Sequence, residues 1–405
     1  MATVKPFTAL RPPVSEASNV ACVPYDVVSD DEVRAITSAN PKSFLRVTRP
    51  EAEFGTADPA SAFAEGKKIL EHFIDDGLLA PDPKPCIYVY RLAAGDQQQT
   101  GIVGCCAIDD YDSGLIKKHE KTRPDKVRDR TDHMVALRAQ TGLIFLAFRN
   151  TDEMRALVAN TVSTEPLYDF SDPAGVRQTV WRVPGGNGFE EAFRNVPALY
   201  VADGHHRAES ASLARKDLKD SNPNHTGKEN YNFVMAGIFP SEDLAIMAYN
   251  RVVRDLNGLS TDEFLARLED NFIVTETEER APNQRGNFAM YLGGKWYGLR
   301  FNVNYVREPD VLDRLDVQIL QKNVLEPLLG IGDVRTDPRI IFVGGGRGLD
   351  ELERYVDSGK AAVAFSLFPT TMNDLLAVSD MGEIMPPKST WFEPKLKDGL
   401  LVHLI

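Results

Sequence analysis

The sequence predicts an α+β protein: a mixed α/β core with an added N-terminal region and a C-terminal α/β domain. Three observations lead there. A short apolar run, Leu199-Tyr200-Val201-Ala202, ends at Asp203-Gly204 and gives way to Ala208, Ala211, Ala214 and Leu218 at helical spacing. The continuous apolar runs Leu143–Phe148 and Ala361–Phe368 have the length and composition of buried strands. Amphipathic helical patterns lie around them, with no internal repeat and no low-complexity tract.

A chain of 405 residues has room for two or three domains. Its 43% hydrophobic and 26% charged residues are ordinary for a globular protein with real cores. A net charge of -13 argues against general nucleic-acid binding. No apolar run approaches the roughly 18 residues of a membrane span. Met1-Ala2-Thr3-Val4-Lys5-Pro6 lacks the charged start and apolar stretch of a secretory signal, so a cytoplasmic protein is expected. The four cysteines, Cys22, Cys86, Cys105 and Cys106, show no paired metal-ligand spacing and are expected as buried free thiols.

Residues 1–85 are expected as an N-terminal extension, rich in turn signals such as Arg11-Pro12-Pro13, Pro24-Tyr25-Asp26 and Asn40-Pro41. One helix should follow Ser29 as N-cap, and another should run from Pro59 to Asp76. Phe44 to Arg49 reads as a strand between them. Residues 86–255 form the expected core, opening on a hairpin with arms Cys86–Arg91 and Gly101–Ile108. From Lys117 to Arg130, seven cations and three carboxylates leave +4 in fourteen residues. That run is either a solvated helix face or an anion site behind His119-Glu120. Residues 256–405 form the expected C-terminal domain. It starts with a capping box at Ser260 and Glu263, and a long amphipathic helix is predicted over roughly 310–329.

The junction at Asp203-Gly204-His205-His206-Arg207 is the strongest candidate site. A strand, a glycine turn and a helix start direct backbone N–H groups and a positive helix end at one point, where a phosphate could sit. Arg207 would add a forked donor and Asp203 a carboxylate. Zinc at His205, His206 and Asp203 is a weaker alternative, because adjacent histidines are poorly spaced for helical chelation. Gly344-Gly345-Gly346-Arg347-Gly348 lacks the Gly-Lys-Ser/Thr ending of a P-loop and reads as a flexible connection. No Gly-x-Ser-x-Gly elbow occurs. Lys388-Ser389-Thr390, after two prolines and before Trp391-Phe392, offers a cation and two hydroxyls for a phosphate or carboxylate.

Three segments, Asp203-Gly204-His205-His206-Arg207, His119-Glu120-Lys121-Thr122 and Pro386-Pro387-Lys388-Ser389-Thr390, resemble a prokaryotic domain-of-unknown-function family. Pro24-Tyr25-Asp26 and Asn40-Pro41 fit it too. The same segments, in the same order, resemble archaeal free-serine kinases of the ParB/sulfiredoxin-like superfamily. That resemblance implies a ParB/sulfiredoxin-like core that transfers a phosphoryl group to the hydroxyl of free L-serine or a similar small metabolite. It implies Glu120 as general base, with Asp203 and His206 also catalytic. Gly204, His205 and Arg207, with His119, Lys121 and Thr122, would bind phosphate, and Lys388, Ser389 and Thr390 would bind the acceptor. No metal ligand is implied within the protein. Mg²⁺ is expected with the donor, and no organic cofactor is expected.

Departures from those relatives shape the expectation. The chain is much longer than the compact archaeal kinases, and no counterpart of their adenine-contacting aromatic is found, so ATP, ADP or pyrophosphate could be the donor. Where the sulfiredoxin branch has its reactive cysteine, this chain has His205. The helix-turn-helix that accompanies the ParB branch is not evident. Partners are therefore a small donor and a small hydroxy acceptor, with neither nucleic acid nor membrane. The alternatives are a phosphate- or nucleotide-binding sensor without turnover, and a metal-dependent phosphohydrolase.

Overall fold

The computed structural model describes residues 2–55, 58–302 and 310–405. The chain is a mixed α/β protein in two compact units. The first contains Met1–Lys118, Thr122–Leu244 and Pro394–Ile405, and the second His119–Lys121 and Ala245–Glu393. Among the described residues no helix is long and apolar enough to cross a membrane.

The first unit is built on a nine-stranded mixed sheet. At its centre Ile144–Phe148, buried at every position, runs parallel to Phe233–Pro240 and antiparallel to Leu199–Asp203. Burial on both faces explains why this segment reads as an unbroken apolar run rather than an alternating one. Strand Leu199–Asp203 also pairs in parallel with the short Ile116–Lys117, with Leu199 opposite Ile116. The hairpin expected near residue 86 is present as Cys86–Ala94 and Gln97–Ala107. Helix His205–Asp220 buries Ala208, Ala211, Ala214 and Leu218, the face that its spacing predicts. It packs on helix Pro124–Leu137, where the Ser210 hydroxyl donates to the Val127 carbonyl at 2.9 Å.

Residues from the N-terminal region do not form a core of their own. Val33, Phe44, Phe63, Leu70 and Phe73 share one apolar cluster with Leu137, Ala139 and Val402. Ser29 and Glu32 make the capping box of helix Asp30–Ala39, and Pro59 opens helix Pro59–Asp75. The strand expected over Phe44–Arg49 is instead a helical turn, Leu45–Thr48, between Pro41 and Pro50. Phe44, Leu45, Val47 and Thr48 are all buried there, so packing on two sides overrides strand propensity. All four cysteines are free and buried.

A six-stranded antiparallel sheet carries the second unit, in the order Phe272–Glu276, Lys295–Phe301, Asn287–Leu292, Val363–Leu367, Tyr249–Val253, Ile340–Gly344. The capping box at Ser260 and Glu263 opens helix Thr261–Leu268. The long helix expected over 310–329 is shorter: an α turn at Asp316–Leu320 continues as a π turn at Gln321–Leu325. Pro327 gives the reason. Its ring would strike the carbonyl four residues back, so the chain widens and Glu326 N–H bonds Gln321 O at 3.0 Å. In the Gly344–Gly348 run the first two glycines are closely packed, while Gly348, at φ +76°, meets open space. A Cβ at Gly344 would lie 2.6 Å from the Trp391 ring, and one at Gly345 would lie 3.0 Å from Ala248 O, so these glycines admit close packing.

Candidate functional site

In the first unit the candidate site is the turn at the end of strand Leu199–Asp203. Gly204 adopts φ +90° and caps helix His205–Asp220, a conformation costly for any side chain. Its N–H donates to Asp203 Oδ1 at 2.8 Å, and Lys395 Nζ donates to Asp203 Oδ2 at 2.8 Å. Burial works against the charged carboxylate, but Lys395, Arg207 and the Gly204 N–H outweigh it and hold Asp203 well below the usual carboxylate range. The aspartate is therefore an anion, engaged at both oxygens.

Arg207 is 7% exposed and donates to the Leu143 carbonyl, while its guanidinium lies against the face of Gly204. Burial opposes its charge, yet Asp26, Asp398, Asp203 and Tyr25 keep it firmly cationic. Tyr25 and Asp26 belong to the N-terminal Pro-Tyr-Asp signal, so that segment supplies part of this electrostatic surround. Arg207 thus shapes the turn and sets its potential from behind rather than reaching outward as an exposed fork. His205 is buried, while His206 is half-buried and its Nε2 accepts the Arg123 N–H at 3.0 Å. That bond fixes the lone pair on Nε2 and the proton, in neutral His206, on Nδ1. A Cβ at position 204 would lie 3.2 Å from Arg207 Nε, on top of the backbone cost of the left-handed conformation. Gly204→Ala is accordingly expected to destabilise the chain by roughly 1–2 kcal/mol. A urea midpoint equal to that of the parent would contradict this account.

Most of the basic segment is committed locally. Lys118 pairs with Glu209 at 3.3 Å, Arg123 with Asp125 at 2.8 Å, and Arg130 with Asp129 at 2.7 Å. Arg128 bonds Asp132 as well as Asp217, and Lys117 lies 5.7 Å from the Tyr200 ring centre. The local excess of +4 is thus spread along a strand end, the segment after it and helix Pro124–Leu137, with most of its cations paired to carboxylates. Thr122, within this run, is half-buried.

In the second unit the His119–Lys121 segment meets the C-terminal motif. Met385 N–H donates to the buried His119's carbonyl at 2.8 Å, and Glu120, Lys121, Pro386 and Pro387 line one cleft of about 450 Å³. Lys388 is exposed and held at φ +58°, rare for a side-chain-bearing residue. Its ammonium lies 5.8 Å from the Tyr249 ring centre. Ser389 is buried and donates its hydroxyl to Pro386 O at 2.6 Å, which closes the loop on itself, while Thr390 is half-buried. Arg251 was not visible as a site residue in the sequence. It is 2% exposed, lies over the Phe342 ring at 4.8 Å and reaches Pro387 O at 3.4 Å, so it braces this loop from a central strand. Burial brings its pKa down to about 10.

Within each unit, then, separated sequence motifs converge: Asp203–Arg207 with Lys395 in the first, and His119–Lys121 with Met385–Pro387 in the second. Lys395 was missed in sequence because it follows the Lys-Ser-Thr motif as one more loop cation. Its ion pair with Asp203 is what distinguishes it.

No match was found among curated proteins. Among solved structures the chain is similar to a conserved hypothetical protein from Pyrococcus furiosus, at 14% identity over 75% of this chain and 95% of that one, with a TM-score of 0.36. A free serine kinase in complex with AMP matches at 13% identity over 74% and 91%, with a TM-score of 0.36. SbnI with a C-terminal truncation from Staphylococcus aureus matches at 13% identity over 75% and 87%, with a TM-score of 0.40. Residues 4–318 match the family described as "Protein of unknown function (DUF1015)", and the chain belongs to that family.

Proposed function

We propose that the chain is a cytoplasmic small-molecule phosphotransferase, moving a phosphoryl group from ATP, ADP or pyrophosphate to the hydroxyl of free L-serine or a similar hydroxy metabolite. The observation that carries this reading is the 2.8 Å bond from Met385 N–H to His119 O. It joins two motifs separated by more than half the chain, in a cleft that Glu120 lines. A carboxylate in a ligand-sized cleft is the group that hydroxyl activation needs. The Asp203–Arg207 turn, with a glycine cap, a helix N-terminus and a buried guanidinium behind it, has the character of a phosphate cradle.

In this reading Glu120 accepts the acceptor's hydroxyl proton as the oxygen attacks phosphorus. The bond from phosphorus to the donor's bridging oxygen breaks, and the nucleotide or phosphate departs with that electron pair. The turn's backbone N–H groups and the Arg207 charge stabilise the donor's phosphate oxygens, and Lys395 keeps Asp203 oriented. Mg²⁺ is expected to enter on the donor's phosphates. Asp203 does not fit as its protein ligand, because an ammonium 2.8 Å away already neutralises the carboxylate.

The test is a donor screen on the folded chain with Mg²⁺, offering serine and a series of 3-hydroxy acids as acceptors. A true donor at a hundred times its dissociation constant should stabilise the fold by about 2.7 kcal/mol and yield a phosphorylated acceptor. Stabilisation without product from any donor would replace this reading with the sensor alternative. Neither stabilisation nor product would remove both. For the phosphohydrolase alternative, metal at His205 and His206 would have to displace the Arg123 N–H from His206 Nε2 or use another ring nitrogen.

A further inference from the structure

The cleft in the second unit has a mixed lining. Its volume of about 450 Å³ lies within the range of roughly 300–1,000 Å³ typical of small-molecule sites. Its apolar wall residues include Leu312, Val334, Ile384, Pro386 and Pro387. Several of its polar groups are already engaged. Arg335 holds Asp333 through two bonds of 2.9 and 2.8 Å, and the Gln321 amide donates to Ile331 O and Gly332 O at 2.9 and 3.2 Å. Gln318 and Lys121 are different: among the described residues neither side chain has a hydrogen-bond or ion-pair partner. Glu120 completes the lining.

This pattern is a poor match to serine itself. The α-ammonium of serine would meet the Lys121 cation, and Asp333, the other carboxylate of the cleft besides Glu120, is already neutralised by Arg335. A three-carbon amino acid would also leave the apolar wall in contact with water. We infer that the cleft takes a hydroxy carboxylate with an apolar body of several carbons, its carboxylate toward Lys121 and its hydroxyl toward Glu120. The placement of the hydroxyl rests on the phosphotransferase reading; the carboxylate and the apolar body rest on the cleft wall alone. Gln318 supplies an amide for a further polar group of the ligand.

Calorimetric titration of the full chain with serine, 3-hydroxybutyrate, 3-hydroxyhexanoate and 3-hydroxyoctanoate tests it. Affinity should rise roughly fourfold for each methylene that enters the cleft, with serine the weakest ligand. Lys121→Gln, at an exposed position, should weaken the hydroxy acids by roughly three- to tenfold and leave octane-1,3-diol unchanged. Affinity that is flat with chain length, tightest for serine, or indifferent to Lys121→Gln would overturn the assignment. A parallel assay with labelled donor separates this inference from the reading beneath it. Chain-length-dependent binding with no product keeps the cleft ligand and removes the kinase. Phosphoserine formation with flat hydroxy-acid binding does the reverse.

Discussion

Replacing Glu120 by glutamine is expected to slow phosphoryl transfer by between about a hundredfold and ten-thousandfold, the usual contribution of a positioned general base. Donor affinity and melting temperature should change little, because glutamine keeps the length and the hydrogen-bonding oxygen of the side chain. Only the ability to accept a proton is lost. Glu120→Asp should fall between the two, retaining the carboxylate but withdrawing it by one methylene from the cleft it shares with Pro386 and Pro387. Single-turnover rates with labelled donor measure the chemical step apart from binding and release. A Glu120→Gln rate within about threefold of the parent, in protein that still binds donor, would take the base assignment away from this residue.

How far such a site could be read from sequence differs between its halves. The Asp203–Arg207 turn was legible because its information is local. An apolar strand, a glycine that must take positive φ and a helical repeat of alanines all lie within twenty residues. The roles of its members were less legible. Arg207 faces the Leu143 carbonyl rather than solvent because the strand Ile144–Phe148 lies beside it, a tertiary fact with no local signature. Lys395 and Asp398 come from the far end of the chain, and nothing in their own neighbourhood marks them as companions of Asp203 and Arg207. The same distinction explains the fold. The N-cap at Ser29 and the capping box at Ser260 set their helices by adjacent residues, and both are legible in the sequence. Phe44–Arg49 was decided by what packs around it, and Gln321–Leu325 by a proline whose effect on helix type, rather than helix end, depends on the surrounding core. The meeting of His119 with Met385 spans 266 residues of sequence, so only the resemblance of motifs, not their spacing, linked them.

The second large effect belongs to Asp398, which is 2% exposed and whose Oδ1 finds no hydrogen-bond donor among the described residues. Its backbone is fixed by a reciprocal pair of bonds with Cys22, both 3.0 Å, and its carboxylate presses on Gly142, where a Cβ would lie 2.5 Å from Oδ1. Burial pushes its pKa up to about 7. Arg207, Lys397 and Arg130 oppose that rise, and Asp26 reinforces it. A carboxyl group whose pKa is raised in the folded state binds a proton there that the unfolded chain releases. Its contribution to stability is therefore retained at low pH and lost as pH rises from about 4 through about 7. Asp316 acts in the same direction, also rising to about 7 through burial, with Oδ2 unsatisfied. His133 and His403, buried and brought down to about 3 and about 4, act oppositely: stability that they support is lost as pH falls below about 6.5. In the parent the two pairs oppose one another between about pH 4 and 6.5. Asp398→Asn removes one member and leaves the histidines dominant. The variant's stability relative to the parent should climb by about 1.4 kcal/mol per pH unit and level off above about pH 7, a total rise of about 4 kcal/mol. That slope is independent of any fixed cost of burying an amide, since such a cost displaces the difference equally at every pH. Urea unfolding of both proteins across this range gives the comparison, and parallel stability curves would show that Asp398 is ionised throughout, held by Arg207 more strongly than burial opposes it.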